Sequence, residues 1–233
     1  MANSARNTPG AEPQETIVYD ESNALENVQG FYEKNKKTLS TVTTVILVVV
    51  VGYFGYMKMY KAPNDEKAAA ALYWPQLYFS ADSLNQALNG DGKNLGFSKL
   101  ATKYSGTPAG NIARYYEGAC YLKMGDFQKA IKAFEGFNGK GTALENQAAG
   151  LTGMAYMESG NTAKAIESFK KATSDKEDVL VTPMYLYQLG LAYQTAGQNN
   201  EAKDAFKRLR DEYPRSLQAK DVDKELARLG ELN

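Results

Sequence analysis

Residues 118–134 read GACYLKMGDFQKAIKAF, residues 153–169 read GMAYMESGNTAKAIESF, and residues 190–206 read GLAYQTAGQNNEAKDAF. The three stretches share one skeleton: Gly118-x-x-Tyr121, Gly125 and Ala130-x-x-x-Phe134 recur as Gly153-x-x-Tyr156, Gly160 and Ala165-x-x-x-Phe169. They recur again as Gly190-x-x-Tyr193, Gly197 and Ala202-x-x-x-Phe206. From Gly118 to Gly153 is 35 residues, and from Gly153 to Gly190 is 37. Each shared residue has a packing role in a pair of antiparallel helices. The first Gly lets the two helices approach, the Tyr fills the space between them, and the second Gly closes the turn. The Ala then gives room where the helices cross, and the Phe fills the widening gap.

A period near ~34 residues with this pattern resembles the tetratricopeptide repeats over Asn111–Pro214. The resemblance implies an all-α solenoid in which partner peptides lie on a concave face lined by the first helix of each pair. Carried over residue by residue, the lining is Ile112, Tyr115, Ala119 and Leu122, then Gln147, Gly150, Met154 and Met157, then Met184, Tyr187, Leu191 and Gln194. Ile112, Tyr115, Leu122, Met154, Met157, Met184, Tyr187 and Leu191 are the candidate partner-binding residues. A repeat domain that clamps an acidic carboxyl terminus needs Lys, Arg and Asn at these places, and none is here. A trough lined by Met and Tyr suits pliable contact with apolar segments. The alternative is that the trough is filled by the chain's own helix at Glu66–Leu88 or by its C-terminal helix.

Working outward, Phe97-x-x-Leu100-x-x-x-Tyr104 echoes Phe206-x-x-Leu209-x-x-x-Tyr213, so Glu66–Tyr104 reads as a degenerate helical pair, with Lys93 in place of the Ala. Glu66–Leu88 is rich in helix formers but carries Pro75, which is expected to bend or split it. Ala62-Pro63-Asn64-Asp65-Glu66 reads as a helix break with a fresh acidic start, and Asn89-Gly90-Asp91-Gly92 as a turn. At the far end Ala219, Val222, Leu226 and Leu229 recur at intervals of three and four, with Lys220, Asp223, Lys224 and Arg228 on the other side. That is the pattern of a capping helix at a solenoid's end.

Further toward the N-terminus, Thr38–Met57 (TLSTVTTVILVVVVGYFGYM) is a run of twenty residues without a charge, bracketed by Lys34, Lys36 and Lys37 and by Lys58 and Lys61. About 20 apolar residues cross a ~30 Å hydrocarbon core, so the run reads as a transmembrane helix, with Tyr53, Tyr56 and Tyr60 as an aromatic belt on one side. It fits a cleaved signal peptide poorly. The run exceeds an h-region of about 7–15 residues, and Lys58-Met59-Tyr60-Lys61 follows it in place of a small-residue cleavage site. The preceding tail carries five acids against Arg6 and is expected to be mostly disordered, with a short amphipathic helix from Asp20.

Composition excludes much else. The 233 residues hold 27 Lys and Arg against 27 Asp and Glu, so no basic footprint for nucleic acid is present. Without a single His and with one Cys, the common zinc sites and every His-dependent triad are ruled out. Gly136-Phe137-Asn138-Gly139-Lys140-Gly141-Thr142 lacks the leading glycine of a phosphate loop, and Asp175-Lys176-Glu177-Asp178 lacks EF-hand spacing. Cys120 stands where the other copies have Ala155 and Ala192, a packing position. The expectation is no enzyme, no cofactor, no metal and no small-molecule substrate.

The resulting organisation is an acidic tail with a juxtamembrane helix (1–37), a transmembrane helix (38–60), a long helix with a degenerate repeat (61–108), three repeats (109–214) and a capping helix (215–233). This layout, with FYEKNKK before the membrane, resembles the bacterial YfgM-like proteins, ancillary subunits of the SecYEG translocon. The resemblance implies a single-pass inner-membrane protein with repeats in the periplasm, receiving emerging polypeptides beside the translocon and a chaperone. Counting lysines near the membrane gives three on each side. The tighter cluster before it and the Tyr-rich end after it favour a cytoplasmic tail. A scaffold in an envelope secretion, motility or division complex is the alternative function, and an organellar import receptor of opposite topology a third.

Overall fold

A computed structural model describes residues 21–231, with side chains from Glu26 onward. The acidic tail expected over residues 1–20 lies outside the described residues. Among those described, regular structure is helical apart from one isolated bridge between Gly90 and Leu95. The chain divides into two compact units, Met1–Met57 and Lys58–Asn233.

The first unit is built on helix α1 (Glu21–Tyr56), 36 residues long and so about 54 Å at 1.5 Å per residue. Among the described residues this is the region long and apolar enough to cross a membrane. Its large apolar side chains, Val45 to Val51 among them, are exposed all round the helix. The hydroxyls of Thr41 and Thr44 donate to the carbonyls of Lys37 and Ser40 at 2.9 and 2.8 Å. They need no outside partner, which a surround of hydrocarbon would require.

In the second unit the backbone does not break at Pro63. The π-helical turn that ends at Lys61 is followed at once by α2 (Ala62–Ala71), which carries Pro63 in its first turn. The break comes later. The stretch Glu66–Leu88, expected as a helix bent or split in two at Pro75, falls on three: α2, α3 (Tyr73–Ser80) and α4 (Leu84–Asn89). Pro75 cannot donate to the carbonyl of Ala71, and the chain turns at Leu72. A second turn follows at Ala81–Ser83, where Asp82 takes a φ of 56°.

Helix α5 (Phe97–Lys103) then packs on α4 and on α6 (Pro108–Lys123), burying Phe97, Leu100 and Ala101. The remaining helices are α7 (Phe127–Glu135), α8 (Glu145–Glu158), α9 (Thr162–Ala172), α10 (Val181–Thr195) and α11 (Asn199–Glu212). From α5 to α11 each helix packs on the next. A 3-10 turn at Gln218–Asp221 and α12 (Val222–Arg228) close the end, with Val222 and Leu226 buried on α11 and the four charged residues in water.

The shared glycines explain the hairpins. A Cβ on Gly118, Gly153 or Gly190 would meet the ring of Phe134, Phe169 or Phe206 at 2.7, 2.6 and 2.5 Å, so the Phe of each second helix lies flat against bare backbone of the first. At the turn, Gly125, Gly160 and Gly197 have φ of 78°, 80° and 73°. In the first turn, Asp126 N–H reaches Tyr121 O at 2.9 Å and Gly125 N–H reaches Leu122 O at 3.1 Å. The same pair of bonds recurs in the other two turns. This is the Schellman end, satisfying carbonyls that the helix leaves open. Asp126 and Asn161 then accept from Lys129 N and Lys164 N to start the next helix.

Candidate functional site

The first helices of the three pairs, α6, α8 and α10, neighbour one another in turn. Curvature therefore closes toward this row, and its free side is the concave face. The sequence-derived positions on it meet different fates.

Met154, Met157 and Leu191 come together. With Gln188, Gln194 and Glu158 they line a cavity of about 360 Å³ between α8 and α10, floored by the ring of Phe169. All three apolar side chains are half-buried, packed on the core yet reachable. Ile112, Leu122 and Met184 are also half-buried but belong to other stretches of the row. Tyr115 is a correction: it is 6 % exposed, its ring edge-on to Tyr116 and Phe134, and burial pushes its hydroxyl up to about 12. A bulky ring there fills the seam between α6 and α7 and offers a partner no surface.

Tyr187 lies against the chain's own end. Its ring stands 5.8 Å from that of Phe206, and its hydroxyl is raised by burial and then by the carboxylates of Glu225 and Asp221. The closing 3-10 turn packs on α10, and Tyr187 stays half-buried beside it. Tyr185, not singled out by the sequence pattern, interrupts the row as well. Fully buried, it places its ring where a Cβ on Gly150 would sit, at 2.1 Å, and stacks on Phe169 at 6.0 Å between centroids. The signal available was a Gly on one first helix facing an aromatic residue on the next, a contact between repeats that a within-repeat pattern does not carry.

The single thiol is inert. Cys120 is fully buried, and desolvation pushes it up to about 12. Among the described residues no group of three or more Cys, Asp or Glu is placed to hold a metal ion.

Residues 121–178 and 185–216 match family models described as tetratricopeptide repeat. The helical pairs over those residues are similar to tetratricopeptide repeats. Repeats of this kind indicate a protein–protein interaction module. The fold is similar to that in a solved structure titled "Crystal structure of MamA protein", with a TM-score of 0.56 at 16 % identity. The match covers 71 % of this chain and 84 % of that one. At that identity the likeness concerns the fold alone. No curated protein matches the chain.

Proposed function

We propose that this protein is a membrane-anchored interaction module that holds a polypeptide segment of a partner in the cleft between α8 and α10. The observation that carries this reading is the cavity of about 360 Å³ walled by Met154, Met157 and Leu191. Its apolar walls adapt to varied side chains, and the amides of Gln188 and Gln194 can pair with an extended backbone. The free acid on its rim, Glu158, argues against a carboxylate clamp. The apolar stretch Thr38–Met57, most of it in α1, crosses the membrane, the tail is cytoplasmic and the repeats are periplasmic. The layout shared with the YfgM-like proteins supports a place beside the Sec translocon, where the cleft receives emerging polypeptides or a partner chaperone.

One observation favours a scaffold with a fixed partner. Buried Tyr115 and Tyr185 seated on Gly150 leave a short cleft in place of a continuous trough. Photo-crosslinking in intact cells from residue 157 separates the readings. Adducts to many exported proteins are the expected result, and one dominant adduct identifies a scaffold. No adduct from residue 157, while an exposed control at residue 199 crosslinks, would overturn both.

A further inference from the structure

We infer that the protein has a second docking site, a pocket at the α9–α10 loop and the end of α11 that takes an apolar side chain carried next to a carboxylate in a partner polypeptide. The pocket measures about 550 Å³ and is walled by Val179, Leu180, Tyr213, Pro214, Arg215 and Leu217. Val179, Leu180 and Leu217 are 68 %, 80 % and 73 % exposed, far more than the apolar residues of the concave cleft. The three apolar side chains meet at one pocket and do not lie scattered over the surface.

Their exposure is not slackness of the loop. The hydroxyl of Tyr213 donates to Lys176 O at 2.8 Å, Arg208 donates to Thr173 O at 3.2 Å, and the hydroxyl of Thr182 donates to Asp175 O. One oxygen of Asp178 accepts from the N–H groups of both Leu180 and Val181, at 2.9 and 2.8 Å. The loop is bolted to α11 and α10, and the Val179–Leu180 pair is held outward in a preformed wall.

Charge selects the occupant. Of the two charged residues lining the pocket, Glu212 is taken by Arg208 at 2.9 Å, whereas Arg215 is exposed and enters no ion pair among the described residues. The loop acids Asp175 and Asp178 are engaged on the loop's own N–H groups. An open guanidinium beside an apolar pocket matches a carboxylate beside an apolar side chain. Size argues against a second copy of this chain, because a stable dimer needs roughly 800 Å² from each partner. The apolar wall here is a handful of side chains.

The test uses the full chain in lipid nanodiscs and fluorescence anisotropy with three labelled peptides, identical except for Glu, Gln or Lys after a Leu-Leu pair. The Glu peptide is expected to bind about tenfold more tightly than the Gln peptide and to lose that margin at high salt. Arg215→Gln should erase the margin while leaving the Gln peptide's affinity unchanged. Leu180→Asp should abolish binding of all three with an unchanged thermal melt, since both side chains are exposed. Met157→Glu with Leu191→Glu should leave this binding intact, which keeps it distinct from the concave cleft. Equal affinity for the Glu and Gln peptides, preference for the Lys peptide, or insensitivity to Leu180→Asp would overturn the inference. Self-association of the full chain that Leu180→Asp abolishes, without peptide binding, would overturn it in favour of a second copy.

Discussion

Asp91 anchors the turn between α4 and α5 with a single carboxylate. It accepts from Asn94 N at 2.5 Å, Lys93 N at 2.9 Å, the Tyr78 hydroxyl at 2.7 Å and the Asn94 amide at 2.9 Å. These bonds, the Asn94 N–H first and the Tyr78 hydroxyl next, hold its pKa well below the usual carboxylate range. A folded value lower than the unfolded one means that the carboxylate stabilises the fold above about pH 4. That contribution is lost as pH falls through the folded value. Asp91→Asn should therefore lower the melting temperature at neutral pH and flatten its decline below about pH 4. Parallel declines in thermal melts from pH 5 to pH 2 would contradict this. The turn itself was legible as Asn-Gly-Asp-Gly, but the part played by Tyr78, thirteen residues earlier, was not, because no local pattern joins them.

At the scale of the element, each helix hairpin is a closed argument between a bare glycine, a left-handed turn glycine, a small residue and a Phe. Phe169 is fully buried against Gly153 and also stacks on Tyr185 of the next hairpin. Phe169→Ala should cost about 3–5 kcal/mol in urea melts, because it opens a hole that two hairpins share. Lys171→Ala, an exposed side chain 3.9 Å from Glu145, should stay within about 0.5 kcal/mol. Equal small effects would mean that the seam is not where the repeat pattern puts it. This level was the most readable in the sequence, since all four residues act within one repeat. The N-terminal helices were less so. Pro75 correctly signals a break, but Pro63 is absorbed in the first turn of α2, and the left-handed Asp82 that ends α3 has no glycine to announce it.

For the whole molecule, sequence pattern does not report which positions along the row of first helices remain open. Tyr115 fills its own seam, Tyr185 fills Gly150 of the neighbouring repeat, and Tyr187 meets the C-terminal segment. Each of these depends on contacts 16 residues or more apart, which helical periodicity cannot report. The Val179, Leu180 and Leu217 pocket was hidden for the same reason, as it joins a loop to a helix end in the next hairpin. The proposed orientation of the membrane segment has a direct readout. A cysteine at Asn27 should resist a membrane-impermeant thiol reagent in intact spheroplasts, and one at Asn199 should be labelled. Buried Cys120, its thiol pushed up to about 12, stays silent in both. The reverse labelling would contradict the periplasmic placement of the repeats.

The central claim is that the cleft between α8 and α10 is an open polypeptide site. Met157→Glu with Leu191→Glu places two charges on its apolar walls beside Glu158, with no cation lining the cleft to meet them. The measurement is calorimetric titration of an unfolded, apolar polypeptide into the full chain in lipid nanodiscs, for the parent and the double variant, with thermal melts of both. The account predicts loss of binding at an unchanged melting temperature, because both side chains are half-buried and reach solvent. Binding that survives the two charges, or a variant that unfolds, would contradict it, the first by removing the cleft as the site and the second by making it part of the core.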